Sequence, residues 1–198
     1  MIRPQLVVAL ANGRAARRPP GARVAEPHDA LADASRASEL LEPFLGRRVE
    51  ESDLAAVRAV HRATVAVVDA LIDGSDPPLD ALNALAAREP AVSALERRAG
   101  RGLAAVLRPG RPSAVATLLV AVIRELGELE PSRLRRCARP ECGLVFYDAT
   151  RSATQRWHAE RPCGLRERQR RHRARRPGTR KAPPNGASAR WSIADSNR

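Results

Sequence analysis

Five aromatic side chains in 198 residues, Phe44, Phe146, Tyr147, Trp157 and Trp191, give this chain little with which to fill a sandwich of strands. Its core must come from Ala, Val and Leu, small residues that let helices approach closely, so a mainly α fold is expected. The length allows one domain of ordinary size with a small appendage, or two small domains.

Apolar spacing refines that expectation. The segment "PHDALADASRASELLEPFLG" puts Leu31, Ala34, Ser38 and Leu41 on one helical face from about His28, with Pro27 and Asp29 as start signals and Gly46 as a stop. The clearest helix is "EESDLAAVRAVHRATVAVVDALIDG": Leu54, Val57, Val60 (or His61), Val65, Val68, Leu71 and Ile72 recur at three and four, Ser52 or Asp53 caps it, and Gly74 ends it. A shorter stripe of Leu79, Leu82 and Leu85 stops before Pro90. "AVSALERRAGRGLAAVL" suits a hairpin, although its alanines argue against strands. "PSAVATLLVAVIRELGEL" is apolar nearly all round from Ala114 to Ile123, as a helix buried on several sides would be. The whole reads as mainly α, or α+β with a small hairpin.

Charge divides the chain unevenly. Residues 1–132 hold 17 basic and 17 acidic side chains; residues 133–181 hold 16 basic and 4 acidic, an excess of 12 in a total of +13. With a neutral first two-thirds as internal control, this points to a polyanion partner, because each neutralised phosphate releases condensed counterions. The opening "MIRPQLVVALANG" carries only six apolar residues in a row, Leu6 to Ala11, too few for a signal-peptide core of 7 to 15. No stretch approaches the roughly 20 apolar residues of a membrane span. A cytoplasmic protein is expected, and in that reducing compartment clustered cysteines indicate metal before disulfide.

All three cysteines fall in the basic segment, as C-x4-C-x15-H-x4-C: Cys137, Cys142, His158 and Cys163. Two close pairs on small turns can supply the tetrahedron of a structural zinc without a large core. Pro140 and Gly143 provide turn chemistry, and "LVFYD" reads as a short strand. On spacing alone the cysteines could instead be buried thiols, and His172 competes for the fourth ligand position. A basic helix follows through Arg176, with Arg166, Arg170 and Arg173 on one side and Arg168, Arg171 and Arg175 around the next. From Pro177 the composition is that of a disordered tail.

The order of these residues resembles the CGNR-type zinc finger at the C-terminus of bacterial stress-induced transcription regulators. The resemblance covers about 133–176 and rests on "RLRRCARPECGLVFYD", the following Trp157 and the "CGLR" that opens the basic helix. It implies four zinc ligands at Cys137, Cys142, position 158 and Cys163. The family's cysteine at the third is His158 here, and its name-giving Asn is Leu165. Such proteins carry an N-terminal ABATE domain, thought to bind a regulatory ligand. "LVVALANG" matches its opening motif weakly, keeping Asn12 but placing Ala9 at the acidic position, and "DALNALA" with Asn83 also fits. The implied organisation is an ABATE-like helical sensing domain at 1–131, a DNA-binding finger at 132–176 and a tail at 177–198.

No Gly-rich phosphate loop, nucleophile elbow or acid beside a metal ligand is present, so an enzyme is not expected. The leading expectation is a zinc-dependent, DNA-binding transcription regulator, with a small-molecule effector and self-association as open partners. The alternative is a zinc-stabilised module whose arginine helix meets an acidic protein or RNA. Nucleic-acid contacts would fall on Arg166, Arg168, Arg170, Arg171, Arg173, Arg175 and Arg176, and ligand contacts on Asn12 and Asn83.

Overall fold

The computed structural model describes residues 5–13, 29–97 and 102–175. Five helices, α1 (Gln5–Ala11), α2 (Ala34–Leu45), α3 (Leu54–Asp73), α4 (Asp80–Arg88) and α5 (Ala114–Glu128), pack together, with a ribbon of β1 (Ala91–Arg97) and β2 (Leu103–Pro109) between the last two. A second antiparallel pair, β3 (Leu134–Arg136) and β4 (Val145–Tyr147), opens the C-terminal module, which closes with α6 (Leu165–Arg175). The protein is mainly α with two small hairpins. Among the described residues no helix is long and apolar enough to cross a membrane.

The core is aliphatic, as the scarcity of aromatics requires. Leu6 and Leu10 of α1, Leu41 of α2, Val57 and Val60 of α3, Leu82 of α4, and Leu118, Leu119 and Val122 of α5 form one buried cluster. Each buried leucine of this kind contributes roughly 1.5–3 kcal/mol over an exposed one. Helix α5 buries residues around most of its circumference, as its apolar composition predicts. Ser113 caps it by accepting from the amide of Ala116 at 3.2 Å.

The boundaries differ from expectation in instructive places. The pattern predicts a start near His28, which with Pro27 lies outside the described residues, but the helix starts at Ala34. Asp29 and Asp33 hold the intervening backbone in turns: Asp29 accepts from the amide of Leu31 (2.9 Å), and Asp33 accepts from Arg36 as the N-cap. Neither Ser52 nor Asp53 caps α3; residues Glu51–Asp53 form a tight helical turn leading into it, and the Asp53 side chain makes no cap. Gly46 and Gly74 do end their helices, at φ 64° and 69°. The Leu79 stripe is narrower than its spacing suggests, since Leu79 is exposed and only Leu82 is fully buried.

The short apolar run from Leu6 to Ala11 predicts no helix, yet α1 forms there. At 7 residues it is too short to hold alone. Its free N-terminal amides are met from elsewhere: the Glu125 carboxylate of α5 accepts from Leu6 (3.3 Å) and Val7 (2.8 Å). Its other side joins the C-terminal module. Val7 packs with Val68 of α3, Leu129, Leu134 of β3 and Val145 of β4 in a second buried cluster. Just past its end, Asn12 donates to the carbonyl of Val145 (2.8 Å) and accepts from the amide of the same residue (2.9 Å). Arg136 pairs with Asp69 across the same junction at 2.5 Å.

Candidate metal centre and its basic helix

The paired strands β3 and β4 hold Leu134 opposite Tyr147 and Arg136 opposite Val145, so the chain leaves β3 directly into Cys137. The amide of Cys137 donates to Leu144 (2.8 Å) and that of Cys142 to Arg139 (3.0 Å), folding 137–144 into a knuckle. Gly143 completes it at φ 64°, which favours glycine. Val145 and Phe146 are both buried. The strand therefore anchors the knuckle to the helices.

A loop then returns to the knuckle, organised by Asp148. This fully buried carboxylate accepts from the amide (2.9 Å) and hydroxyl (2.5 Å) of Thr150 and from the amide of Gln155 (2.7 Å). Burial opposes its charge, but these donors outweigh burial and hold the carboxyl below its ordinary value. The amide of Ala138 donates to Arg156 at 2.8 Å, which brings His158 over the thiols.

The donor atoms of Cys137, Cys142, His158 and Cys163 lie within 4.8 Å of one another. His158 presents Nδ1, 3.3 Å from Cys142 Sγ and 3.6 Å from Cys163 Sγ. Zinc–sulfur and zinc–nitrogen bonds of about 2.3 and 2.0 Å at a tetrahedral angle separate S from N by roughly 3.5 Å, so these two separations match edges of a zinc tetrahedron. Protonation agrees. Burial pushes the His158 imidazole down, leaving it neutral with a lone pair to give. Burial also pushes the Cys142 thiol up to about 12. At Cys137 burial acts in the same direction, but the amides of Arg139 and His158 and the neighbouring thiols prevail and lower it. An ion here displaces protons from the thiols. The group fits one structural zinc in a Cys3His set, closed to further ligands. His172 lies exposed on α6, outside the cluster.

Three thiolates and a neutral imidazole leave one net negative charge on a zinc site. Arg139 stands beside Cys163 and keeps its proton against burial through Cys163 and Glu141, which it also contacts at 2.9 Å. Spacing gave no hint of this partner, since any of 16 basic residues nearby could have filled the role. Arg156 lies over the Trp157 ring, 5.7 Å from its centre.

Cys163 and Gly164 sit in the turn Glu160–Gly164, and α6 follows at once. The absent Cβ of Gly164 makes room for Glu160, whose carboxylate would lie 2.5 Å from it. Glu160 pairs with Arg168. From Leu165 to Ala174 every residue but Glu167 is exposed. Glu167 lies under its own helix's arginines, bonding Arg170 at 2.8 and 2.9 Å and Arg171 at 3.1 Å. Those guanidiniums lower its pKa to about 2. Arg166 and Arg173 have no acidic partner among the described residues. The Arg175 side chain, Arg176 and the tail 177–198 lie outside what is described.

Asn12 and Asn83 are not joined. Asn12 is engaged with Val145, as above, and Asn83 is exposed on α4.

Comparison with known families agrees with the two parts of the molecule. The CGNR zinc finger model matches residues 133–176. The ABATE model, described as "Putative stress-induced transcription regulator", matches residues 5–129. Neither is an enzyme family. No curated protein matches the chain. With most of its length under one model and its zinc module under the other, the chain belongs to the ABATE family and carries a CGNR zinc finger at residues 133–176.

Proposed function

We propose that this is a zinc-dependent, DNA-binding transcription regulator acting in a bacterial cytoplasm in response to stress. Residues 1–131 serve as the sensing domain, 132–176 as the DNA-binding finger and 177–198 as a tail. The observation that carries the reading is α6: 11 residues with six arginines, exposed from Leu165 to Ala174 apart from Glu167 and fixed to the zinc centre through Cys163 and Gly164. A helix so placed has no core to join, and its charge suits a groove lined by phosphates.

The arginines have separate tasks. Arg166 and Arg173 are two turns apart, on one face, and meet the duplex directly. Arg168, Arg170 and Arg171 are held by Glu160 and Glu167, which fixes their direction while reducing the net charge they offer. Arg175 and Arg176 extend the same contact. Sensing acts through the α1 junction, where Asn12 joins the finger, and Asn83 on α4 is offered as an effector contact.

Binding of a fluorescent duplex, followed by anisotropy over a range of salt, tests this reading. The logarithm of affinity should fall linearly with the logarithm of salt, and Arg166→Ala or Arg173→Ala should each reduce the slope by about 1. Absence of duplex binding at low salt overturns it. A second reading has one observation behind it: three of these arginines already bind carboxylates of their own chain. Capture of an acidic protein or RNA in place of duplex DNA would favour that reading.

A further inference from the structure

Six large hydrophobic side chains are exposed among the described residues, and four of them, Val92, Leu95, Leu103 and Leu107, lie on the β1–β2 ribbon. The register sorts them. Leu95 faces Ala105, Leu107 pairs with Ser93 and Leu103 with Arg97, all on one face. The other face carries Ala94, Ala104 and Val106, which are half-buried, with Val92, Glu96 and Arg108 exposed beside them, and β2 packs against α5. No described residue covers the leucine face: Leu95 is 70%, Leu103 64% and Leu107 51% exposed. Two strands alone are marginal in water, and a ribbon with two unpaired edges and an apolar face invites a partner.

We infer that this face is where two copies of the chain pair, ribbon against ribbon about a twofold axis. Three features favour a second copy over another occupant. Its two central cross-strand pairs, Leu95–Ala105 and Leu107–Ser93, each join a large residue to a small one, so rotation by half a turn can seat Leu95 of each copy over Ala105 of the other, the reciprocity an isologous interface requires. Its one charged residue is Arg97, at the outer end, so it offers no cationic stripe to a polyanion. The ribbon also lies at the start of α5, whereas the +12 module follows that helix's other end, about 22 Å away for 15 residues. Copies meeting at the ribbon thus join through their neutral halves.

A face about 24 Å long and about 10 Å wide is smaller than the roughly 800 Å² per partner of a standard interface, so dissociation in the micromolar range is expected. The inference is independent of what α6 binds.

Sedimentation of the full, zinc-loaded chain over roughly 1 to 200 µM, a span that brackets the strength of a small interface, tests it. The mass should rise from 21.5 kDa towards twice that value. Leu95→Glu and Leu107→Glu should stay monomeric throughout, while Leu79→Glu, at an exposed leucine away from the ribbon, should associate as the wild type does. Circular dichroism and zinc content establish that each variant is folded. Should a glutamate variant fail to fold, Leu95→Ser should weaken association by at least about tenfold, a loss of about 1.4 kcal/mol. Wild type that remains at 21.5 kDa, or a folded Leu95 variant that associates normally, overturns the proposal.

Discussion

Asp148 shows how much of the finger rests on a single side chain. Its carboxylate holds the loop that returns His158 to the thiols, through three donors at 2.5 to 2.9 Å. Because its folded pKa is lowered, its contribution is fully present above an unfolded carboxyl value of about 4 and is lost as pH falls through the lower folded value. Asp148→Asn should therefore cost about 2 kcal/mol or more at neutral pH, since it leaves buried donors facing a weaker acceptor. Denaturant titrations at pH 7 and near pH 3 should show the gap between wild type and variant closing in acid. A gap of constant size would remove the carboxylate from this role. At the same scale, the metal ligands were legible because zinc chemistry demands particular atoms at particular spacings. Arg139, Glu167 and Asn12 were not, because a charge or an amide finds its partner only once the chain has folded.

Among the elements, legibility followed local self-sufficiency. Helix α3 could be read from its apolar period and Gly74, α5 from its apolar circumference, and the β1–β2 hairpin from two short runs about a turn. Helix α1 could not, since seven residues form a helix here only because Glu125, more than a hundred positions away, satisfies its first amides. The late start of α2 has a related cause, as two aspartates satisfy backbone amides ahead of the helix. Glu125→Ala should thus cost about 0.5–2 kcal/mol, the range for loss of an N-cap. Hydrogen exchange should locate that loss in residues 5–11, with the centre of α3 still protected. Uniform loss across the helices would show that Glu125 acts through the core instead.

At the scale of the whole molecule, the two parts have different sources of stability. The helical part has its own aliphatic cluster, whereas residues 137–164 hold few buried apolar side chains and depend on four ligands. Removing zinc with a chelator should open the segment from Arg136 to Arg166 and leave most helical dichroism intact. His158→Ala should lower zinc affinity by more than the 10- to 100-fold typical of losing an outer-shell partner. His158→Cys, which restores the family's residue, should keep one zinc per chain by elemental analysis. Zinc content unchanged in the alanine variant would mean that the imidazole is no ligand.

The two bonds between Asn12 and Val145 bear on how such a molecule could change state. Both end on one residue of β4, so sliding the finger by a single position breaks them together and turns the neighbouring strand side chains to the wrong face. Gradual swivelling is thereby disfavoured, and the joint is suited to two discrete settings, closed or released. A signal that lifts α1 would be transmitted as a step, whatever the size of the displacement that began it.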